Sequence, residues 1–400
     1  MAFAGAPLEI LVVGGGMIVH DQILPSLYHM QRQGRVGAIS VCASRHATVR
    51  ALAEAETLLR AFPGQRFMMA PESDAGGPQP ELFRRQIGAL APRNLVAVAV
   101  PDQLHYEVVM EALQCNQHVL CVKPLVLKHS QAVEIAREAR RRNVLVATEY
   151  HKRFDDRSLM ARRRYREGMF GEFRLGTACL LEKWYYRHSN FQNWMTAEHT
   201  DAFTYIGCHY VDLVHFITGL LPVSVSVYGQ LDRFPNGSQG YLWTDARVIW
   251  NNGGCLNVQN ALGFPDAAPG TNTQGLTMYC QSGNDGALLA HSDQYRGLKY
   301  SYASQPDGAG ATIYAEPSPD YFQYVDLGGP GLVPVGYGYR SIEQIVTAAI
   351  RVNAGDAAHV LNEIDTTGIL ATPANSAYNE QVIEAARESI LHGGREVRVG

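Results

Sequence analysis

From Leu8 to Tyr150 the chain alternates short apolar, β-rich runs with stretches of helical periodicity. The runs are Ile10–Val13, Val36–Ala43, Phe67–Met69, Leu95–Val100, His118–Val122 and Val144–Ala147. Unbroken Val/Ile/Leu runs suit strands buried on both faces, which is what helices covering a parallel sheet produce. Residues 1–150 therefore read as a doubly wound α/β domain with a parallel sheet. Pro71–Pro80, with Gly76 and Gly77, interrupts the pattern as a surface loop.

After Tyr150 the pattern changes. A helical stretch near Asp155–Glu167 precedes a strand-like Phe173–Leu181, an aromatic-rich segment, and a helix around Asp201–Thr218. Beyond Pro222, β-like runs at Val223–Leu231, Asp245–Trp250, Cys255–Ala261 and Gly275–Gln281 are punctuated by Gly, Pro and Asn. Loops are expected at Gly263–Gly270, Gln305–Gly310 and Gly328–Gly338, and a closing helix at about 376–392. Residues 151–400 thus read as a second α/β domain with a large, mostly antiparallel open sheet.

Composition narrows the class without naming a function. Four hundred residues exceed one ordinary core, and 46% hydrophobic with 18% charged residues describes a globular chain, not a disordered one. A formal charge of -4 argues against a nucleic-acid partner, and the arginine clusters at 137–142 and 162–164 read as solvated helix faces. Seven scattered cysteines without CxxC spacing fit reduced thiols. Met1–Pro7 lacks the basic and long apolar regions of a secretion signal, and no apolar run reaches the ~20 residues a membrane helix needs. A soluble, cytoplasmic protein without a membrane partner is expected.

Candidate chemistry begins at Leu11-Val12-Val13-Gly14-Gly15-Gly16-Met17-Ile18-Val19, a glycine-rich turn between the first strand and a helix. Gly14 can make the tight turn, Gly16 can let the backbone approach a pyrophosphate, and the helix start offers free N–H groups. Val19 stands where a third glycine would serve helix–strand packing. At the end of the second strand, Ser44 and Arg45 replace the acidic residue that would hold the adenine ribose hydroxyls. A guanidinium there suits a 2′-phosphate and favours NADP over NAD.

At the end of the fifth strand, Lys123 precedes Pro124, which cannot join a ladder, so its side chain is expected to enter a crevice. Gly14-Gly15-Gly16 with Pro25, Val100-Pro101-Asp102-Gln103-Leu104-His105 leading to Val122-Lys123-Pro124, Gly207-Cys208-His209-Tyr210-Val211-Asp212, and Asn379–Ala386 followed by Gly393 occur in an order that resembles the Gfo/Idh/MocA family of NAD(P)-dependent oxidoreductases. The resemblance spans nearly the whole chain. It implies a Rossmann domain followed by an α/β domain with a large open sheet, and a homodimer or homotetramer assembled through that sheet. It also implies that Met17, Ile18, Pro101, Asp102, His105 and Lys123 line the cofactor.

By the same resemblance, Lys123 contacts the substrate hydroxyl beside the nicotinamide, although Val122 replaces the glutamate of the family's Glu-Lys-Pro motif. A lysine suits proton work there, because a cationic nicotinamide disfavours its ammonium. His209 matches the histidine of the family's Asp-x-x-x-His motif, with Tyr205 where the aspartate would stand. Spacings of four and three put Tyr205, His209 and Asp212 on one helix face, where they are expected to converge. Lys152, Arg153, Tyr185 and Trp194 are candidate substrate contacts, the aromatic rings suiting a sugar face. A metal set drawn from His199, Asp201, His209, Asp212 and His215 has no recognised ligand spacing, and no metal is expected.

These readings together predict hydride transfer between NAD(P) and a secondary alcohol or ketone of a sugar, glycoside or cyclitol. Lys123 and His209 would share the proton work, with Asp212 or Tyr205 orienting the imidazole or relaying the proton. Two alternatives remain: NAD-dependent glycoside cleavage through transient oxidation and elimination, and a non-catalytic nucleotide-sensing regulator.

Overall fold

β1 (Leu8–Val13) is buried at every position except Glu9, as an unbroken apolar run requires when both sheet faces are covered. In the computed structural model it is joined by β2 (Val36–Cys42), β3 (Met68–Ala70), β4 (Leu95–Val98), β5 (His118–Val122) and β6 (Val146–Glu149). The sheet order is β3-β2-β1-β4-β5-β6 and every pair is parallel. The order reverses between β1 and β4, so the crevice at the strand ends opens beside the loops after β1, β4 and β5. The structure describes residues 6–74, 76–268, 270, 272–292, 296–303, 311–318 and 320–400, the segments 296–303 and 311–318 by their backbone alone. The expected loop Gln305–Gly310 and residues 1–5 of the N-terminal segment lie outside the described residues.

The second sheet is built from β7 (Glu172–Lys183), β8 (Pro222–Arg233), β9 (Gln239–Trp250), β10 (Cys255–Phe264), β11 (Asn272–Ser282), β12 (Asp285–His291) and a terminal strand Val397–Arg398. Its order is β12-β11-β7-β10-β9-β8 with Val397–Arg398 at the far edge, antiparallel except where β10 pairs with β7. Burial alternates along β9, so Leu242, Ala246 and Val248 point into the core. That face packs under the helices Cys208–Thr218 and Tyr378–Leu391, while Thr177, Asn257, Gln259 and Thr277 line a broad polar hollow on the other.

The sequence reading places no element over 339–367, yet the structure forms the helices Tyr337–Ala354 and Ala357–Thr367 there. Ile342, Ile345, Val346 and Ile350 pack into the first core beside Val19, Leu24 and Leu27. Each such side chain contributes roughly 1.5–3 kcal/mol on burial, so this late segment is integral to the N-terminal core although it falls after residue 150. A buried seam of Tyr150, Cys208, Ala371 and Ile383 joins the two halves, and Thr148 N–H donates to the Ala371 carbonyl at 2.8 Å.

Candidate functional site

Gly14 has φ +121°, and a Cβ built on it would lie 2.1 Å from the Ala99 carbonyl oxygen, so no other residue fits this turn. Its N–H donates to the Cys42 carbonyl at 2.8 Å. Gly16 is the opposite case: a Cβ there would meet nothing within 4 Å, leaving its backbone open on the crevice side. Val19, in place of the third glycine, is fully buried in the first core, and the turn it opens, Val19–Ile23, is a π-helix that runs into the helix Leu24–Arg32. Met17 packs toward the second core and Ile18 toward the first, so the loop straddles both halves. Ser44 and Arg45 are exposed at the end of β2, where no carboxylate stands.

After β4, Pro101 leads into a short turn that buries Asp102, whose carboxylate accepts one long bond from Thr200 Oγ1 at 3.4 Å. Burial pushes the Asp102 carboxyl up, tempered by the nearby His105 and Lys123. His105, expected at the cofactor, lies in the interior where this loop meets the loop after β5. It is fully buried, with Nδ1 2.8 Å from the Pro124 carbonyl and Nε2 2.9 Å from the Val100 carbonyl. The ring thus bridges the loop after β4 and the loop carrying Lys123, donating to one of the two carbonyls.

Lys123 itself is half-buried. Its Nζ donates to the carbonyl of Tyr205 and sits 3.5 Å from the centre of the Tyr205 ring, a cation–π contact. Tyr205 belongs to a π-helical turn, Phe203–Gly207, that precedes the helix Cys208–Thr218. Gly207 allows that turn to sit on β10, because a Cβ there would meet Asn260 Oδ1 at 2.6 Å. Phe191 and Trp194 pack edge-on against Tyr205 at 5.0 and 5.6 Å, and Tyr186 meets Phe191 at 5.4 Å, forming an aromatic wall beside Lys123. Tyr185 is exposed and leans on Tyr186 from outside. Burial pushes the Tyr205 phenol well up, so it stays protonated.

His209 is buried, and its Nδ1 has no hydrogen-bond partner. Burial, followed by the neighbouring His151, Lys123 and Lys152, pulls it well below the ordinary histidine range, so the ring is neutral. Asp212 does not join it, which corrects the expected convergence of Tyr205, His209 and Asp212. Its carboxylate accepts from Arg153 Nη2 at 2.6 Å and Nε at 2.8 Å, and from the Tyr378 hydroxyl at 2.9 Å. Both ion-pair partners are 1% exposed. Arg153, expected at the substrate, is therefore a buried structural cation; burial opposes its charge, but the Asp212 carboxylate raises its pKa overall. Lys152 remains at the site: its Nζ donates to Gln274 Oε1 at 2.6 Å.

Three groups at this site lie outside the expected set. Glu182, at the end of β7, accepts from Asn272 Nδ2 at 3.3 Å, and burial raises its pKa while Lys123 and Lys152 oppose the rise. His151 meets the His209 ring at 4.6 Å and the Tyr321 ring at 4.8 Å. Glu149 lies beneath it, 3.1 Å from its Nδ1. The alternative metal set is dispersed: Asp201 serves Thr204, His199 faces Thr196 and His215 faces the Leu220 carbonyl. No cluster of three or more metal-ligating side chains occurs among the described residues.

A six-stranded parallel sheet of this order, with a glycine turn after β1 and a lysine after β5, defines a dinucleotide-binding Rossmann unit joined to an open-sheet partner. Residues 8–150 match the Gfo/Idh/MocA model, described as an oxidoreductase family with an NAD-binding Rossmann fold. D-glucoside 3-dehydrogenase of Escherichia coli is 29% identical over 182 residues, 46% of each chain, so the match spans about half the length of that relative. Levoglucosan dehydrogenase of Pseudarthrobacter phenanthrenivorans is 22% identical over 276 residues, 62% of this chain and 68% of its own. Across 98% of this chain, the fold matches 97% of an inositol dehydrogenase homolog from Azotobacter vinelandii, complexed with NADH and myo-inositol, with TM-score 0.66 and 16% identity.

Proposed function

We propose that the protein is an NAD(P)-dependent oxidoreductase acting on a secondary alcohol or ketone of a sugar, glycoside or cyclitol. The single observation that carries this reading is Lys123, held at the β5 end beside the glycine turn by Tyr205, close to a neutral His209 whose Nδ1 has no hydrogen-bond partner. The cradle fits a dinucleotide, because Gly14 closes the turn against Ala99 and Gly16 leaves it open. Gly14, Gly16, Met17 and Ile18 would hold its pyrophosphate end and Pro101 the nicotinamide side. Ser44 and Arg45 would hold the adenine ribose, favouring a 2′-phosphate.

When bound, the oxidised nicotinamide supplies a hydride acceptor. Lys123 Nζ would bind and orient the substrate oxygen, and His209 would contact the same hydroxyl or its neighbour through its imidazole. The aromatic wall of Tyr186, Trp194 and Tyr205 would cover one face of a ring and exclude water. Lys152 would take an adjacent hydroxyl, and Tyr185 would contact the outer part of a larger glycoside.

The activities that name these relatives, on a glucoside and on levoglucosan, support this substrate class. The polar outer face of the second sheet, with Thr177, Asn257 and Thr277, is the surface through which a homodimer or homotetramer would form. No helix among the described residues is long and apolar enough to cross a membrane, and a cytoplasmic location is proposed. The test is a panel of sugars, glycosides and cyclitols with NAD and NADP, read by nicotinamide absorbance. Turnover of a polyol, with higher kcat/KM on NADP, is expected; tight cofactor binding without turnover of any of them would contradict the reading.

A further inference from the structure

Two groups beside His209 have no role in that chemistry, and their geometry is specific. Glu149 is 2% exposed at the end of β6. Its Oε1 accepts from Gln22 Nε2 at 2.8 Å and from the Ser341 hydroxyl. Gln22 is itself fixed, donating to the Gly338 carbonyl at 2.9 Å and accepting from the Tyr321 hydroxyl. With Oε1 occupied, Oε2 is left facing His151 Nδ1 at 3.1 Å. A buried carboxylate is an acceptor only, so it holds the imidazole proton on Nδ1 and leaves Nε2 with its lone pair. The ring is further set by Tyr337, stacked at 5.7 Å, Tyr321 at 4.8 Å and His209 at 4.6 Å. Among the described residues Nε2 has no hydrogen-bond partner, and the ring is partly exposed.

His209 is a poor proton acceptor. It is buried, among the described residues no carboxylate is hydrogen-bonded to its ring, and cationic Lys123 and Lys152 lie near it. Tyr205, protonated and tied to Lys123, brings no carboxylate where an aspartate would.

We propose that His151, held in one tautomer by Glu149, is the proton acceptor of the oxidoreductase reaction, with His209 as a neutral contact to a neighbouring hydroxyl. The inference rests on the oxidoreductase reading and narrows its substrate class to rings with vicinal hydroxyls, since two imidazoles 4.6 Å apart suit adjacent oxygens. In the oxidation direction the substrate O–H breaks and its proton goes to His151 Nε2. The carbinol C–H breaks with its electron pair, which passes as hydride to oxidised NAD(P), and the C=O bond forms. Lys123 Nζ holds the oxygen. Glu149 is a positioning residue: it works through His151, as the orienting carboxylate of a catalytic triad works through its histidine.

The titratable groups that face His151 are Glu149 from β6, His209 from the helix Cys208–Thr218, Tyr321 and Tyr337, while Tyr150, Lys123 and Lys152 lie about His209. The experiment has two arms. In the cofactor-free protein, nitrogen-15 and proton NMR should find the His151 proton on Nδ1, shifted downfield and lost in both His151→Asn and Glu149→Gln. A wild-type His151 protonated on Nε2 would overturn the proposal whatever the activity. On a polyol that the wild type oxidises, His151→Asn should lower kcat about 10²–10⁴-fold, the contribution of a positioned base, with NADH affinity unchanged. Glu149→Gln should lower kcat and shift the acidic limb of the kcat/KM pH profile. A His151→Asn variant that keeps kcat within threefold, or loses only KM, refutes the proton role and leaves the oxidoreductase reading standing. If no polyol is oxidised by the wild type, that reading fails and the proton role fails with it.

Discussion

Replacing Asp212 by Asn separates a structural role from a catalytic one. The carboxylate receives two bonds from Arg153, at 2.6 and 2.8 Å, and one from Tyr378 at 2.9 Å, and both charges are 1% exposed. An amide cannot reproduce the paired acceptors, and it leaves the Arg153 guanidinium uncompensated in the interior. Breaking one side of a buried pair costs about 3–5 kcal/mol. For a unit of about 200 residues, each kcal/mol lowers Tm by roughly 2–4 °C, so a fall on the order of 10 °C is expected by calorimetry. Turnover of the folded variant at a low assay temperature should stay within about tenfold of wild type. Replacing both partners, Arg153→Met with Asp212→Leu, should recover much of the lost stability. If Asp212→Asn melted within 2 °C of wild type yet lost a hundredfold or more in kcat, Asp212 would be a proton relay and the structural assignment would be wrong.

Glu380 gives a prediction in pH. It is fully buried on the last helix, neither carboxyl oxygen has a well-aligned partner, and burial, tempered by the backbone N–H groups of Leu125 and Val126, pushes it up to about 8 from 4.5. A carboxyl raised in the folded state contributes stability that is full below pH 4.5 and is lost as pH rises through 8, here about 5 kcal/mol. Urea midpoints from pH 5 to pH 8 should therefore move increasingly in favour of Glu380→Gln over wild type; a constant difference would exclude a buried, protonated Glu380. Gly14→Ala places a Cβ 2.1 Å from the Ala99 carbonyl at φ +121° and should weaken NADH binding at least tenfold by fluorescence titration, with unchanged affinity counting against the turn as the cofactor cradle.

Much of the fold was legible because its signals are local. The six apolar runs of the first half correspond to β1 through β6, and the glycine turn and Lys123 fall at the ends of β1 and β5. The helix Tyr337–Ala354 carries its own periodicity at Ile342, Ile345, Val346 and Ala349, but its place in the first core depends on a return of the chain that no local pattern encodes. The site was legible only where it is local too. The spacing of Tyr205, His209 and Asp212 assumed a regular α-helix, and the π-turn at Phe203–Gly207 changes the angle between Tyr205 and the helix that carries His209 and Asp212. Asp212 then meets Arg153, a partner 59 residues away. Glu182, Tyr321 and the Glu149–His151 pair are brought together by tertiary packing across both sheets. The one available signal was a pair of ionisable residues, Glu149 and His151, flanking Tyr150 at the end of a buried strand.

The central claim is that Lys123 touches the reacting hydroxyl. Its most direct measurement is single-turnover nicotinamide absorbance of Lys123→Ala beside wild type, on a polyol from the panel, with NADH affinity measured in parallel. The account predicts a fall of at least a hundredfold in the rate of nicotinamide reduction, with NADH binding within about fivefold of wild type. Reduction at the wild-type rate by Lys123→Ala would contradict it.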